Sequence, residues 1–172
     1  MTTAPKQTRK KPSVPLEPRT WDSTILTRIL SEGYGDGSWH GPDLKAALAD
    51  VTAATAFWRP DAKRHNIAEL ALHHTWFVRS VWQQLTGRTA EPFVLGGEDW
   101  FELNDGAKLS WARVTEVVAA QQRALEKAAA DIAAGRITPP DDAKPFDLVL
   151  GITCHAVYHA GQIQLLKRLK AR

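Results

Sequence analysis

Residues 145–169 read PFDLVLGITCHAVYHAGQIQLLKRL. Leu148, Ile152, His155, His159, Ile163 and Leu166 follow one another in steps of three and four, the spacing that puts side chains on one face of a helix. Lys167, Arg168 and Lys170 suit the negative end of the helix dipole, so the spacing predicts a helix from about Pro145 to Leu169. His155 and His159 then point inward with the leucines and isoleucines. A buried imidazole with an unpaired donor or acceptor costs roughly 1–3 kcal/mol. Two core histidines bonded to backbone, tyrosine or water would avoid that cost, and so would a divalent metal shared by both rings. Side chains at i and i+4 can share an ion, and neutral imidazole suits zinc, nickel or iron(II).

Three more helices are predicted upstream. Ile25, Leu26, Ile29 and Leu30 make one apolar stripe between Trp21 and Glu32, stopped by Gly33 and Gly35. Ile67, Leu70, Phe77, Val81 and Leu85 keep helical spacing from Asn66 to Leu85, with Gly87 as terminator. Ser110 can cap a helix that carries Val114, Val117, Leu125 and Ile132 inward, runs to Ala134 and ends at Gly135, before Pro139 and Pro140 forbid continuation. Pro42 and Asp43 suit the first turn of a short helix through about Asp50. Trp58, Arg59 and Pro60 mark a break. Strand-like alternation is absent, so the expected fold is all-α, a four-helix bundle with one additional short helix. Residues 88–108, rich in glycine and carrying Phe93, Trp100 and Phe101, form a long connection between the second and third bundle helices, a candidate lid or partner surface.

A chain of 172 residues can bury a continuous core without disulfides or a structural metal. The net charge of +3 is concentrated at the start: residues 1–20 hold Lys6, Arg9, Lys10, Lys11 and Arg19 against Glu17, which leaves the remainder one unit negative. The expected organisation is a disordered basic tail over 1–20 and one domain over 21–172. No helix of the folded part carries a basic stripe and no helix-turn-helix pattern occurs, so nucleic acid is not an expected partner. With one cysteine, no secretory leader and no apolar run near 20 residues, a cytoplasmic protein without membrane association is expected.

A third ligand can come from His73-His74 on the second long helix. Periodicity does not choose between them, since either sits acceptably between Leu70 and Phe77, and at most one should reach the bundle axis. Three histidines without a fourth protein ligand leave positions open for water or substrate.

The segments HNIAELALH at 65–73 and HAVYHAGQI at 155–163, with Trp39-His40-Gly41-Pro42 before them, resemble the DinB-like (DinB/YfiT-like) metal-dependent bundle proteins over roughly residues 21–170. The resemblance implies a metal triad of His73, His155 and His159, with His74 in a position usually apolar. His65 stands where tryptophan is common, which makes it a cap or surface residue rather than a ligand. The family includes bacillithiol and mycothiol S-transferases, so the likeness implies a zinc or nickel site, with iron(II) as a further choice, acting on a small thiol and an electrophile. A non-catalytic metal-binding stress-response bundle and a metal-dependent hydrolase are the alternatives, and a homodimer is the expected assembly.

Glu69 and Gln162 are candidates to hold a ligand's second nitrogen or touch bound water; each could equally be a solvated polar group at the bundle rim. Cys154 adjoins His155, but helical neighbours diverge by about 100°, so buried packing is expected for it. Tyr158, Glu98, Asp99, Glu102 and Asp105 are possible proton carriers without a distinguishing pattern. Trp76 and Trp82 read as core or interface residues and His40 as a cap or turn residue.

Overall fold

The computed structural model describes residues 24–35 and 38–171. The basic tail and the expected helix start at Trp21 lie outside the described residues. Among those described, the elements are α1 (Thr24–Gly33), α2 (Leu44–Leu48), α3 (Ala53–Ala56), α4 (Ile67–Thr86), α5 (Trp111–Ala133) and α6 (Pro145–Lys170), with no strand. The long helices close a ring: α4 packs on α5 and α6, and α1 packs on the same two. This is the expected four-helix bundle, with two short helices instead of one. Asp43, not Pro42, sets the start of α2, because its side chain accepts the Ala46 N–H at 2.9 Å. The short α3, capped by Thr52, has too few residues for an apolar period to show.

Local chemistry explains the long elements. Ser110 caps α5 by accepting the Arg113 N–H at 3.2 Å, and α4 ends where Gly87 takes the left-handed φ of 66°. On α1 only Leu26, Leu30 and Gly33 are buried; Ile25 is 39% exposed, so the stripe is narrower than its spacing suggested. Gly33 lets α1 approach α6 closely, since a Cβ there would lie 3.0 Å from that of Ala156.

Two apolar clusters divide the interior. One gathers α2, the first turns of α4, Phe101 and Leu103 of the 88–108 connection, and the second half of α6. The other joins α1 to the second half of α4, with Leu125, Val149 and Ile152. Between them runs a polar layer at His73, His74 and Thr75 of α4 and His155 and His159 of α6.

The start of α4 is tied to the 88–108 connection by a buried carboxylate. Asn66 accepts the Glu69 N–H at 2.9 Å and Glu69 accepts the Asn66 N–H at 3.4 Å, closing a capping box. The Glu69 carboxylate also accepts two Arg59 N–H groups, at 2.8 and 2.5 Å, and the Leu103 backbone N–H at 2.9 Å. Burial pushes this carboxyl up, yet Arg59, Leu103 and His65 together outweigh it and hold it below its usual value. Glu69 therefore neither touches a candidate metal ligand nor sits at a solvated rim. It fastens the connection, whose other side is gripped by Arg79 on the Glu91 and Ala90 carbonyls. No helix of the described residues is long and apolar enough to cross a membrane.

Removing one partner of a buried ion pair strands the other charge, which typically costs about 3–5 kcal/mol. Glu69→Ala should destabilise the protein by an amount in that range, read as a shift in the urea midpoint at pH 7, whereas exposed Glu116→Ala should move it by less than about 0.5 kcal/mol.

Candidate metal centre

Packing of α4 against α6 brings His73, His155 and His159 together. Nε2 of His155 lies 3.1 Å from Nε2 of His73 and 2.9 Å from Nε2 of His159, and one ring nitrogen from each histidine falls within 4.8 Å of the others. A tetrahedral ion with metal–nitrogen bonds of about 2.0–2.1 Å would hold its ligands about 3.3 Å apart. The observed spacings are close to that value, so the three residues fit a divalent metal.

The outward nitrogens are also engaged. Nδ1 of His73 faces the Asp99 carbonyl at 3.2 Å and its carboxylate at 2.8 Å. Nδ1 of His159 is 2.6 Å from Oε1 of Gln162. Oxygen acceptors at these places put the proton of each neutral ring on Nδ1 and leave a lone pair on Nε2, the tautomer a metal requires. Of the two outer candidates, Gln162 takes the anticipated role, and Asp99 fills the place considered for Glu69.

His74 departs from expectation. Both neighbours on α4 are buried, and both reach His155, His73 at its Nε2 and His74 at its Nδ1, where Nδ1 of His74 lies 3.1 Å away. Two side chains that diverge around a helix can meet one ring from opposite sides when that ring carries two nitrogens.

Burial is the largest influence on all four histidines. It pushes His155 and His159 down to about 4, with neighbouring imidazoles adding to the effect, and Gln162 partly opposes it at His159. His73 is lowered by burial despite the opposing pull of Asp99, and His74 is driven well below its ordinary value. All four rings are neutral at pH 7, the charge state in which imidazole acts as a ligand.

Trp100 covers the site. Its ring stacks on His73 with centroids 3.8 Å apart and on His65 at 3.7 Å, while His65 Nδ1 sits 3.1 Å from Glu69. His65 is thus a surface ring over the rim and not a ligand. Asp99 adopts a left-handed φ of 64° just after Gly97, and this turn sets its carbonyl against His73 Nδ1 while Oδ1 of its carboxylate lies 2.8 Å from that nitrogen without completing a hydrogen bond. The adjacent glycines and acid were the sequence signal for it. Phe77 is 38% exposed and packs edge-on against His73 and His155, so it borders the centre instead of filling the core. A cavity of about 720 Å³ opens beside the triad, walled by Tyr158, Leu165 and Leu169 with Lys63 and Arg64 at its rim. That volume is in the range of small-molecule sites.

Other candidates lie apart. Cys154 is exposed, which corrects the expectation of buried packing: it belongs to an outer face of α6 where Leu150 and Leu165 are exposed too. Glu98, Glu102 and Asp105 are exposed; Asp105 caps the Ala107 N–H and Glu102 accepts from Asn104. His40 lies 2.7 Å from the Glu32 carbonyl at the end of α1, a cap as expected. Trp76 packs on Phe93 and Phe101, and Trp82 packs against the second cluster.

A family model, that of the DinB superfamily, matches residues 38–163, which include both histidine-bearing segments. The chain belongs to the DinB superfamily. No curated protein and no solved structure gave a match. Membership in the DinB superfamily agrees with the helical bundle and with three clustered histidines that could bind a divalent metal.

In the metal-free protein the fold holds His155 and His159 neutral down to about 4, while the unfolded chain protonates them near 6.5. The folded state thus binds fewer protons in this window, so stability is full above pH 6.5 and falls as pH drops toward about 4. Urea midpoints of chelated protein should decline from pH 7 to pH 5, before most carboxylates titrate, and the decline should shrink in a variant carrying both His155→Gln and His159→Gln.

Proposed function

We propose that this protein binds a divalent metal, zinc or nickel first and iron(II) next, through His73, His155 and His159, and uses it to transfer a small thiol to an electrophile. The observation that carries the reading is the convergence of three ring nitrogens: Nε2 of His73 and Nε2 of His159 lie 3.1 and 2.9 Å from Nε2 of His155, and the outward nitrogens of His73 and His159 face oxygens of Asp99 and Gln162, which puts the protons of those two rings on Nδ1. Converging lone pairs repel unless a proton or a cation lies among them, and three nitrogens with no fourth protein ligand among the described residues correspond to a reactive centre with open positions. When bound, such an ion supplies positive charge that lowers the pKa of a thiol or water placed beside it.

The residues of the chain then divide the remaining work. Asp99 and Gln162 keep the ligand rings in orientation. The leucine wall of the cavity and the Tyr158 ring accept the apolar part of an electrophile and exclude water from it, while Lys63 and Arg64 can meet a carboxylate on either substrate. Asp61 is the one carboxylate among the described lining residues, and it accepts the Lys63 backbone N–H. A thiol needs no general base once its pKa is lowered, whereas hydrolysis benefits from one.

Protein purified without chelator should carry a stoichiometric divalent ion, and His159→Ala should lose it, as read by elemental analysis. Loaded protein should then accelerate attack by bacillithiol, mycothiol or glutathione on a generic electrophile. Failure to take up either zinc or nickel would overturn the metal reading; stoichiometric metal without turnover of any thiol would favour a non-catalytic bundle.

A further inference from the structure

The three ligand rings differ in what fixes their protons. His73 and His159 face oxygens, which only accept, so each keeps its proton on Nδ1. Among the described residues His155 has no oxygen partner: its Nδ1 meets the Nδ1 of His74 at 3.1 Å, and a ring nitrogen can donate or accept. A contact of this length needs one proton between the two rings, supplied by either one. The Nε2 of His155 lies against two lone pairs, those of His73 and His159.

We propose that His74 is a positioning residue that lets His155 change tautomer when the centre takes up metal. In the metal-free protein, His74 donates its Nδ1–H to Nδ1 of His155, and His155 donates its Nε2–H to the lone pairs of His73 and His159. Ligation through Nε2 requires the opposite arrangement, in which His155 carries its proton on Nδ1, donates it to His74, and His74 is protonated on Nε2. Both rings stay neutral throughout. One proton leaves Nε2 of His155, the proton between the rings passes from His74 to His155, and one proton is gained at Nε2 of His74 by exchange with water.

The surroundings suit this role. His74 is 2% exposed, and the hydrogen bond of its ring is the one to His155. It also lines a cavity of about 10 Å³, room for roughly one water, whose wall includes Tyr34, Gln122 and Thr153 beside Leu30, Ile152 and Ala156. An amide at this place could present either its oxygen or its NH₂ to His155, whereas leucine could present neither.

The inference rests on the metal reading above, and the test separates the two. Long-range ¹H–¹⁵N spectra of wild type should show His74 protonated on Nδ1 without zinc and on Nε2 with it, and His155 the reverse. Zinc affinity, measured by competition with a chromophoric chelator, should weaken about 10–100-fold in His74→Leu and recover most of that loss in His74→Asn. Wild type that binds zinc while the His74 tautomer stays unchanged overturns the switch alone, as does His74→Leu with wild-type affinity. If His74→Leu fails to fold, the wild-type spectra and His74→Asn still decide. Wild type that takes up no zinc removes the metal reading and the switch together.

Discussion

The buried Glu69 carboxylate is the constraint on which the site depends. It closes the capping box of α4, neutralises Arg59 and holds the Leu103 N–H, so one charge links the start of a helix to a connection 34 residues further along the chain. The consequence is felt a few residues earlier in that connection, where Asp99 and Trp100 are set against His73. A buried ion pair of this kind adds little net stability over an apolar replacement, because desolvation offsets most of the attraction. Its contribution is geometric: it decides where the loop lies, and the loop decides how one imidazole is oriented.

The polar layer between the two apolar clusters follows a similar logic. Four neutral histidines in the middle of a bundle give up packing that aliphatic residues would supply, yet the outward nitrogens of the three clustered rings all face a partner. The apolar clusters on either side are large enough to hold the helices without help from the layer. Folding and site chemistry are thereby assigned to separate residues, and the layer is where polar atoms are arranged for binding instead of for stability.

How legible this was depended on local periodicity. The stripe of α6 placed His155 and His159 together because Ile152, Ile163 and Leu166 around them are buried as their spacing demands. On α4 the same method failed to separate His73 from His74, and the reason is physical: every residue from Asn66 to Thr75 is buried, so no solvent face exists to give the turn a direction. Cys154 was misjudged for the converse reason. From Leu148 to Leu166 α6 carries no charge, and Leu150 and Leu165 put large apolar side chains on its exposed face, so no charge marks that face as outer. Helix ends were readable where Ser110, Asn66 and Gly87 act on their own neighbours. The contacts of the 88–108 connection were not, since they join residues distant in sequence and follow no period.

The triad is built from three uncharged rings, with the Asp99 carboxylate held one bond network away on the far side of His73. A divalent cation in such a cage keeps nearly its whole formal charge, unlike one held by thiolates or carboxylates that cancel it. In a partly desolvated setting that residual charge selects the next molecule to arrive by its sign. With such an ion bound, the protein's choice of donors would act as an electrostatic filter on the open side of the centre, admitting anions and groups able to become anions ahead of neutral competitors of the same shape.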